Sequence, residues 1–258
     1  MSTVLVTGGT GTLGRAVVPA LRAAGHETFV LSRHLVDGAE GHGRRIGDLL
    51  DGRGVPQALR DVDTVVHLAS SARHPHRMDV DGTKSLYDEA ARAGVHHVVY
   101  MSIVGCDANP FAYYQIKAEA EQLTLKGPVP GTVLRATQFH ELAVMLATRA
   151  RLGPVVLQPR GLRAQPVDVR DVAERLVQLV AAGPSGMARD LCGPQTLTLA
   201  QVAGAVATAR GRRTPRPVRL PVVGAVLRSF SEGSNLAGPD ADRGSRTLEA
   251  WLSERVGR

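Results

Sequence analysis

Ser2-Thr3-Val4-Leu5-Val6-Thr7-Gly8-Gly9-Thr10-Gly11-Thr12-Leu13-Gly14-Arg15-Ala16-Val17-Val18 opens the chain. Val4 to Val6 is a short apolar run rich in β-branched residues, which predicts a strand buried on both faces. A glycine-rich turn follows at once. Leu13, Val17, Val18 and Leu21 then recur at helical spacing, so the turn leads into a helix with a core-facing side. Strand, tight turn and helix together build a dinucleotide pyrophosphate site. The first amides of a helix have no partner within it, and they point at an anion along the positive end of the dipole. One glycine makes the turn, one lets the backbone approach the phosphates, and one lets helix pack on strand. Gly8, Thr10, Gly11, Thr12, Leu13 and Gly14 are the expected contacts.

Glycines in a strand-to-helix turn by themselves say only that positive φ is needed there. A second signal lies downstream. Glu27 to Leu31 reads as the next strand and ends in Ser32-Arg33, with Arg33 nineteen residues past Gly14. Such folds place the ribose-reading group near that distance. An acid there binds the 2′-hydroxyl of NAD, whereas a guanidinium suits a 2′-phosphate. The expectation is NADP(H) over NAD(H), against the plainer reading of an exposed arginine that ends a strand.

The 258 residues suffice for one large α/β domain or a core with a small cap. Hydrophobic residues make up 43% and charged residues 21%, as in an ordinary globule. No apolar run reaches membrane-span length and no signal-like segment precedes the first strand, so the expectation is a cytoplasmic protein without membrane attachment. Cys106 and Cys192 are too few for a disulfide framework or a metal site. The net charge of +7 invites a nucleic-acid reading. Against it, the arginines are scattered, lysine occurs only at Lys84, Lys117 and Lys126, and aromatics are 3% of the chain, too few for a stacking platform. The densest run, Arg210 to Arg216, reads as a solvated connector. A small-molecule partner is expected, and oligomeric state is not legible.

Further along, His34 to Arg45 reads as a loop and Arg45 to Leu49 as a third strand. Asp48 and Leu49 would border the adenine, with a turn aspartate as the even alternative. After a short helix over Val55–Arg60, Asp63 to Ser70 is a fourth strand whose small end, Ala69-Ser70, passes under the cofactor. His74 and His76 flank a proline but lack partners at ligand spacing, so no metal is expected. Asp79 to Ala93 is a helix, and His97 to Ser102 a fifth strand with His96 and His97 solvated at its entrance.

Ser102 ends that strand, and Phe111 to Glu121 is a helix carrying Tyr113 and Lys117 four apart on one face. A phenol of pKa about 10 works poorly near neutrality, and a nearby ammonium lowers that value. Such a phenol can donate or accept a proton, with a serine hydroxyl holding the substrate oxygen. The lysine can also reach the nicotinamide ribose.

These features resemble the short-chain dehydrogenase/reductase superfamily over most of the chain. Thr7 to Gly14 follows the TGxxGxxG loop of its extended and atypical branches. Asp79-Val80-Asp81-Gly82-Thr83 is similar to NVxGT, with Asp79 where Asn is usual, and Tyr113…Lys117 matches YxxxK. Leu134 to His140 and Pro166 to Ala173 resemble the NmrA-like subgroup. The resemblance implies NADP(H) binding and the catalytic set Ser102, Tyr113 and Lys117. Arg135-Ala136 stands where Arg-Pro is usual, which bears on Ala136 as a nicotinamide contact. Tyr114, three before Lys117, is the competing tyrosine.

Thr132 to Arg135 is strand six. Gln138 is a candidate for cofactor or substrate, and Phe139 for the pocket wall. His140 could serve as a general acid only if it faces the cleft; a helix N-terminal histidine is the plainer reading. Past Leu152 come short Pro- and Gly-punctuated runs, helices over Arg170–Ala181, Leu199–Ala209 (N-cap Thr198) and Pro221–Phe230, a lid or arm over Ser231–Ser245, and a last helix anchored by Trp251. The expectation is a single α/β domain over residues 1–258. It is a Rossmann-type doubly wound parallel sheet, its core near 1–150 and an interleaved C-terminal cap from about 152. The expected function is NADP(H)-dependent hydride transfer with a carbonyl, quinone or activated C=C. A non-catalytic NADP(H) sensor and a cofactor-retaining epimerase, isomerase or lyase are the alternatives.

Overall fold

The computed structural model describes residues 1–34, 43–71 and 73–256, so most of the loop expected after the second strand lies outside it. From the amino terminus come β1 (Thr3–Thr7), α1 (Gly14–Ala23), β2 (Glu27–Ser32), β3 (Arg44–Ile46), α2 (Val55–Ala58) and β4 (Thr64–His67). A π-helical turn (Arg77–Asp81), α3 (Gly82–Arg92), β5 (His97–Ile103), α4 (Ala112–Lys126) and β6 (Gly131–Ala136) follow. Then come α5 (His140–Arg149), β7 (Arg151–Leu152), β8 (Val155–Pro159), β9 (Arg163–Ala164), α6 (Val169–Ala182), β10 (Gly186–Met187) and β11 (Leu191–Cys192). The chain closes with β12 (Leu197–Thr198), α7 (Leu199–Ala209), β13 (Arg216–Leu220), α8 (Ala225–Glu232), β14 (Asp242–Arg243) and α9 (Leu248–Val256).

Two compact units form. The first comprises Met1–Ser102, Ile116–Leu134 and Val172–Ala188. Its strands run in the order β3-β2-β1-β4-β5-β6, with β10 beside β6. β1 is parallel to both neighbours: Val4 pairs with Thr28 and Thr64, and Thr7 with His67. From β1 the chain winds outward one way through β2 and β3 and the other way from β4. The β1–β4 junction is therefore a switch point, where open α/β sheets bind ligands outside the carboxyl ends of their strands. Val4, Leu5 and Val6 are fully buried, as strands covered on both faces must be, and α1 turns Val17, Val18 and Leu21 inward. Leu5, Val65 and Val98 share one core cluster with Leu59 and Leu86. This is the Rossmann-type sheet expected from the sequence.

One expectation fails here. His97 is buried, its Nε2 2.9 Å from Thr132 Oγ1, and burial pushes its pKa down to about 4. Its partner lies thirty-five residues away, out of reach of any local pattern.

The second unit comprises Ile103–Gln115, Arg135–Asp171 and Arg189–Arg258, so no single cut near residue 150 divides the chain. Within it Ala136, at the end of β6, pairs with Leu191, and β11 pairs with β14. β8 runs between β7 and β13, and β9 pairs with β12. Ala143 and Ala147 of α5, Val202 and Val206 of α7, and Leu248, Trp251 and Leu252 of α9 make its core, with Trp251 as the expected anchor. Thr198 caps α7 in a reciprocal box with Gln201. Two readings are corrected. Arg216 opens β13 instead of closing a connector. The Ser231–Ser245 segment is fastened: Asn235 donates to the Arg163 carbonyl at 2.8 Å, and the Asn235 carbonyl accepts from Gln138. The Asn235 amide and the Ser234 hydroxyl find partners inside the unit, which composition alone does not reveal.

Candidate functional site

In the first unit Thr7, Ser32 and His67 end parallel strands at one edge of the sheet, and Ser102 sits one residue before the end of β5. The glycine turn leaves β1 at the switch point. Gly8 has φ +67°, and a Cβ there would lie 2.8 Å from the Ala69 amide nitrogen. A Cβ on Gly14 would lie 2.4 Å from the Gly8 carbonyl oxygen, and one on Gly9 would lie 2.7 Å from Val30. Side chains are excluded from the turn on these sides. Thr10, Gly11 and Thr12 are exposed, whereas Leu13 and Gly14 are buried, so Leu13 offers this edge its backbone. A bare backbone arc opening a helix fits a dinucleotide pyrophosphate.

A buried polar network fixes this edge. Thr7 Oγ1 lies 2.6 Å from His67 Nδ1 and accepts from the amides of Leu68 and Ala69 at 3.2 Å. His67 Nε2 lies 2.8 Å from Thr83 Oγ1, which itself donates to the Asp79 carbonyl at 2.7 Å. The proton order follows. Thr83 accepts from an Nε2–H, and Thr7 donates to a bare Nδ1, so the ring is neutral. Burial, reinforced by the Lys117 charge, pushes its pKa down to about 3. His67 thus ties the ends of β1 and β4 to the start of α3, and sequence reasoning missed it. The available signal was a lone histidine ending a buried valine strand.

Lys117 is buried in this unit. Its Nζ donates to the Met101 carbonyl at 2.9 Å, sits 3.4 Å from Asp79 Oδ1, and lies 4.2 Å above the Tyr100 ring. Ser70, exposed beside it in the chain to Ala69, donates to Asp79 Oδ2 at 3.1 Å. Ser102 is 1% exposed. Ser32 turns its hydroxyl to the His34 carbonyl at 2.9 Å, and Arg33 is exposed. The Asp48 carboxylate accepts the Leu50 amide of its own turn, and Leu49 packs into the core.

The second unit holds the remaining candidates. Tyr114 is buried, edge-on to Phe230 at 5.4 Å and tilted against Phe111 at 5.8 Å. Burial raises its pKa to about 12 against a hydrogen bond to Gln138. Tyr113 is half-buried, one turn before Lys117 along α4, and 6.4 Å from Phe111. Gln138 is committed: Oε1 accepts from the Gln165 amide and Nε2 donates to the Asn235 carbonyl. Phe139 caps α5 and Ala136 is buried at the end of β6. His140 opens α5, the plainer of its two readings. It is fully buried, 5.6 Å from the Trp251 ring and 3.2 Å from the Arg246 carbonyl. Burial pushes its pKa down, outweighing the Arg246 carbonyl and nearby carboxylates.

Comparison with known proteins places the chain in a family. A family model described as NAD(P)H-binding matches residues 8–182. The chain is 32% identical over 225 residues to the NAD(P)H azoreductase of Xenophilus azovorans, across 84% of this chain and 75% of that one. It is 30% identical over 216 residues to the (4-alkanoyl-5-oxo-2,5-dihydrofuran-3-yl)methyl phosphate reductase of Streptomyces griseus, across 81% and 74%. Among solved structures, an NADPH-dependent quinone oxidoreductase of Escherichia coli with bound NADPH superposes with a TM-score of 0.81 at 19% identity, over 98% and 99% of the chains. No helix among the described residues is long and apolar enough to cross a membrane. With a family model matched over most of its length, from the glycine turn onward, the chain belongs to the NAD(P)H-binding family.

Proposed function

We propose that the protein is an NADP(H)-dependent oxidoreductase acting on a carbonyl, quinone, azo or activated C=C compound. The observation that carries this reading is the side-chain-free turn of Gly8, Gly9 and Gly14 at the β1–β4 switch point. The reductases among its relatives support the redox class, and azo compounds enter from the name of one of them. Gly8 to Gly14 hold the pyrophosphate through backbone amides, Arg33 takes the 2′-phosphate, and Ala69 and Ser70 line the floor. Ser32, Ala136 and Gln138 remain candidate cofactor contacts, and Phe139 a pocket wall. When bound, the nicotinamide supplies hydride exchange with the substrate. Tyr113 holds or gives up the proton at its phenol oxygen, Lys117 favours the phenolate by charge, and Ser102 orients the substrate oxygen. Tyr114, with its raised pKa, walls the pocket together with Phe111.

The test follows NADPH oxidation against a panel of quinones, azo dyes, ketones and enones. Steady oxidation with at least one class is expected. Tight NADPH binding with no oxidation across the panel would overturn the redox reading in favour of a sensor or a cofactor-retaining isomerase.

A further inference from the structure

Asp79 lies wholly inside the first unit, in a turn wound as a π-helix. π turns are rare and concentrate at functional sites, because the extra residue re-aims side chains that an α-helix would carry elsewhere. Both carboxylate oxygens are in use. Oδ1 faces the Lys117 ammonium at 3.4 Å, while Oδ2 accepts from the Ser70 hydroxyl at 3.1 Å and the Ser71 amide at 3.4 Å. Each of these groups approaches as a donor. An ionised carboxylate accepts on both oxygens and satisfies them together. A side-chain amide of the same shape fails. Turned one way, its NH2 faces the ammonium; turned the other way, it faces the Ser71 N–H. The acid at this position is therefore a chemical requirement of its neighbours, not a neutral variant of the asparagine in the resembled NVxGT pattern.

We infer that Asp79 is the positioning residue of the cofactor edge: one carboxylate that fixes the Lys117 ammonium relative to the Ser70–Ser71 segment that follows β4. The inference rests on reading that edge as the dinucleotide site. Asp79 is buried and works through its neighbours. Lys117 and Ser70, each assigned to cofactor or proton handling, are held by opposite oxygens of the same side chain, so a shift of one is transmitted to the other. The rest of the surroundings is fixed: the Tyr100 ring and the Met101 carbonyl hold the ammonium from β5, and neutral His67 reaches the Asp79 backbone through Thr83.

The experiment compares wild type, Asp79→Asn, Lys117→Gln and the double variant by NADPH fluorescence titration and thermal melting. Asp79→Asn should raise the NADPH Kd about tenfold, the loss of one well-placed charge-assisted hydrogen bond. It should also lower the melting temperature by roughly 10 °C, as breaking a buried pair does. The double variant should melt above Asp79→Asn, because a glutamine oxygen accepts from the new amide. An unchanged Kd in folded Asp79→Asn, measured well below its melting point, would overturn the inference, since a purely structural role moves only the melting temperature. Should Asp79→Asn fail to fold, a folded double variant supports the inference and an unfolded one overturns it. Absence of NADPH binding in wild type refutes the functional reading instead, and the melting cycle still decides whether the carboxylate serves Lys117.

Discussion

Each unit buries carboxylates against cations, and the two do so differently. In the first, Asp79 and its partner Lys117 are both buried, their side chains 0% and 5% exposed. In the second, Asp168 is fully buried, but its partner Arg170 remains 39% exposed and also pairs with Glu254 of α9. Asp171 similarly pairs with Arg246, just before α9. A cation that keeps contact with water loses little solvation, so the Asp168 and Asp171 pairs act as fasteners for the tail helix. A cation withdrawn with its partner carries a large desolvation cost, which good geometry and further hydrogen bonds must offset. That arrangement joins Met101 of β5 to the Ser70–Ser71 segment after β4. On the proposed reading, the comparison separates a polar cluster that serves a ligand edge from one that holds a segment in place.

The largest effect should come from Tyr113→Phe, which removes the proposed proton donor. Turnover should fall by about 10²–10⁴-fold, with the NADPH Kd and melting temperature nearly unchanged; retained turnover would remove Tyr113 from the chemistry. Gly14→Val comes next. Its branched side chain meets the Gly8 carbonyl and the Gly9 backbone. NADPH affinity should drop on the order of a hundredfold, the equivalent of about 1–3 kcal/mol of overpacking. Wild-type affinity would mean that the turn is not the pyrophosphate site.

The fasteners should respond in stability alone. Burial pushes the Asp168 carboxyl up, but hydrogen bonds from Arg170 outweigh it and hold the pKa below its ordinary value. Its contribution is then fully present above the unfolded pKa of about 3.9 and lost as pH falls through the lower folded value. His67 and His97, pushed down to about 3 and about 4, act at higher pH. Unfolded histidine takes up protons below about 6.5, so the stability these two neutral rings contribute declines from there toward their folded values. Urea melts at stepped pH should show wild type weakening below that point. His97→Gln should flatten this loss, and Asp168→Asn should leave it in place while lowering stability near neutrality by about 1–3 kcal/mol. NADPH affinity of the folded Asp168→Asn protein should not change.

Local chemistry made much of this legible. Val4 to Val6, the glycine turn and the Thr198 cap announce themselves through spacing and residue type, and the doubly wound sheet follows from strand and helix alternation. What remained hidden depends on partners distant in the chain. His97 reads as solvated until Thr132 is beside it, and Asn235 reads as part of an arm until Arg163 and Gln138 meet it. His140 reads as a helix-start residue, and only Trp251 reveals it as core. Asp79 illustrates a different limit. A regular helix was expected over it, and the π turn re-aims its carboxylate toward Lys117 and Ser70.

The most direct test of the central claim is a parallel equilibrium titration of wild type and Arg33→Ser with NADPH and NADH. Wild type should bind NADPH more tightly than NADH. Arg33→Ser should lose about 10–100-fold for NADPH, the equivalent of one charge-assisted phosphate contact, and almost nothing for NADH. Equal affinity for both cofactors in wild type, unchanged by Arg33→Ser, would contradict the assignment of the phosphorylated dinucleotide to this edge.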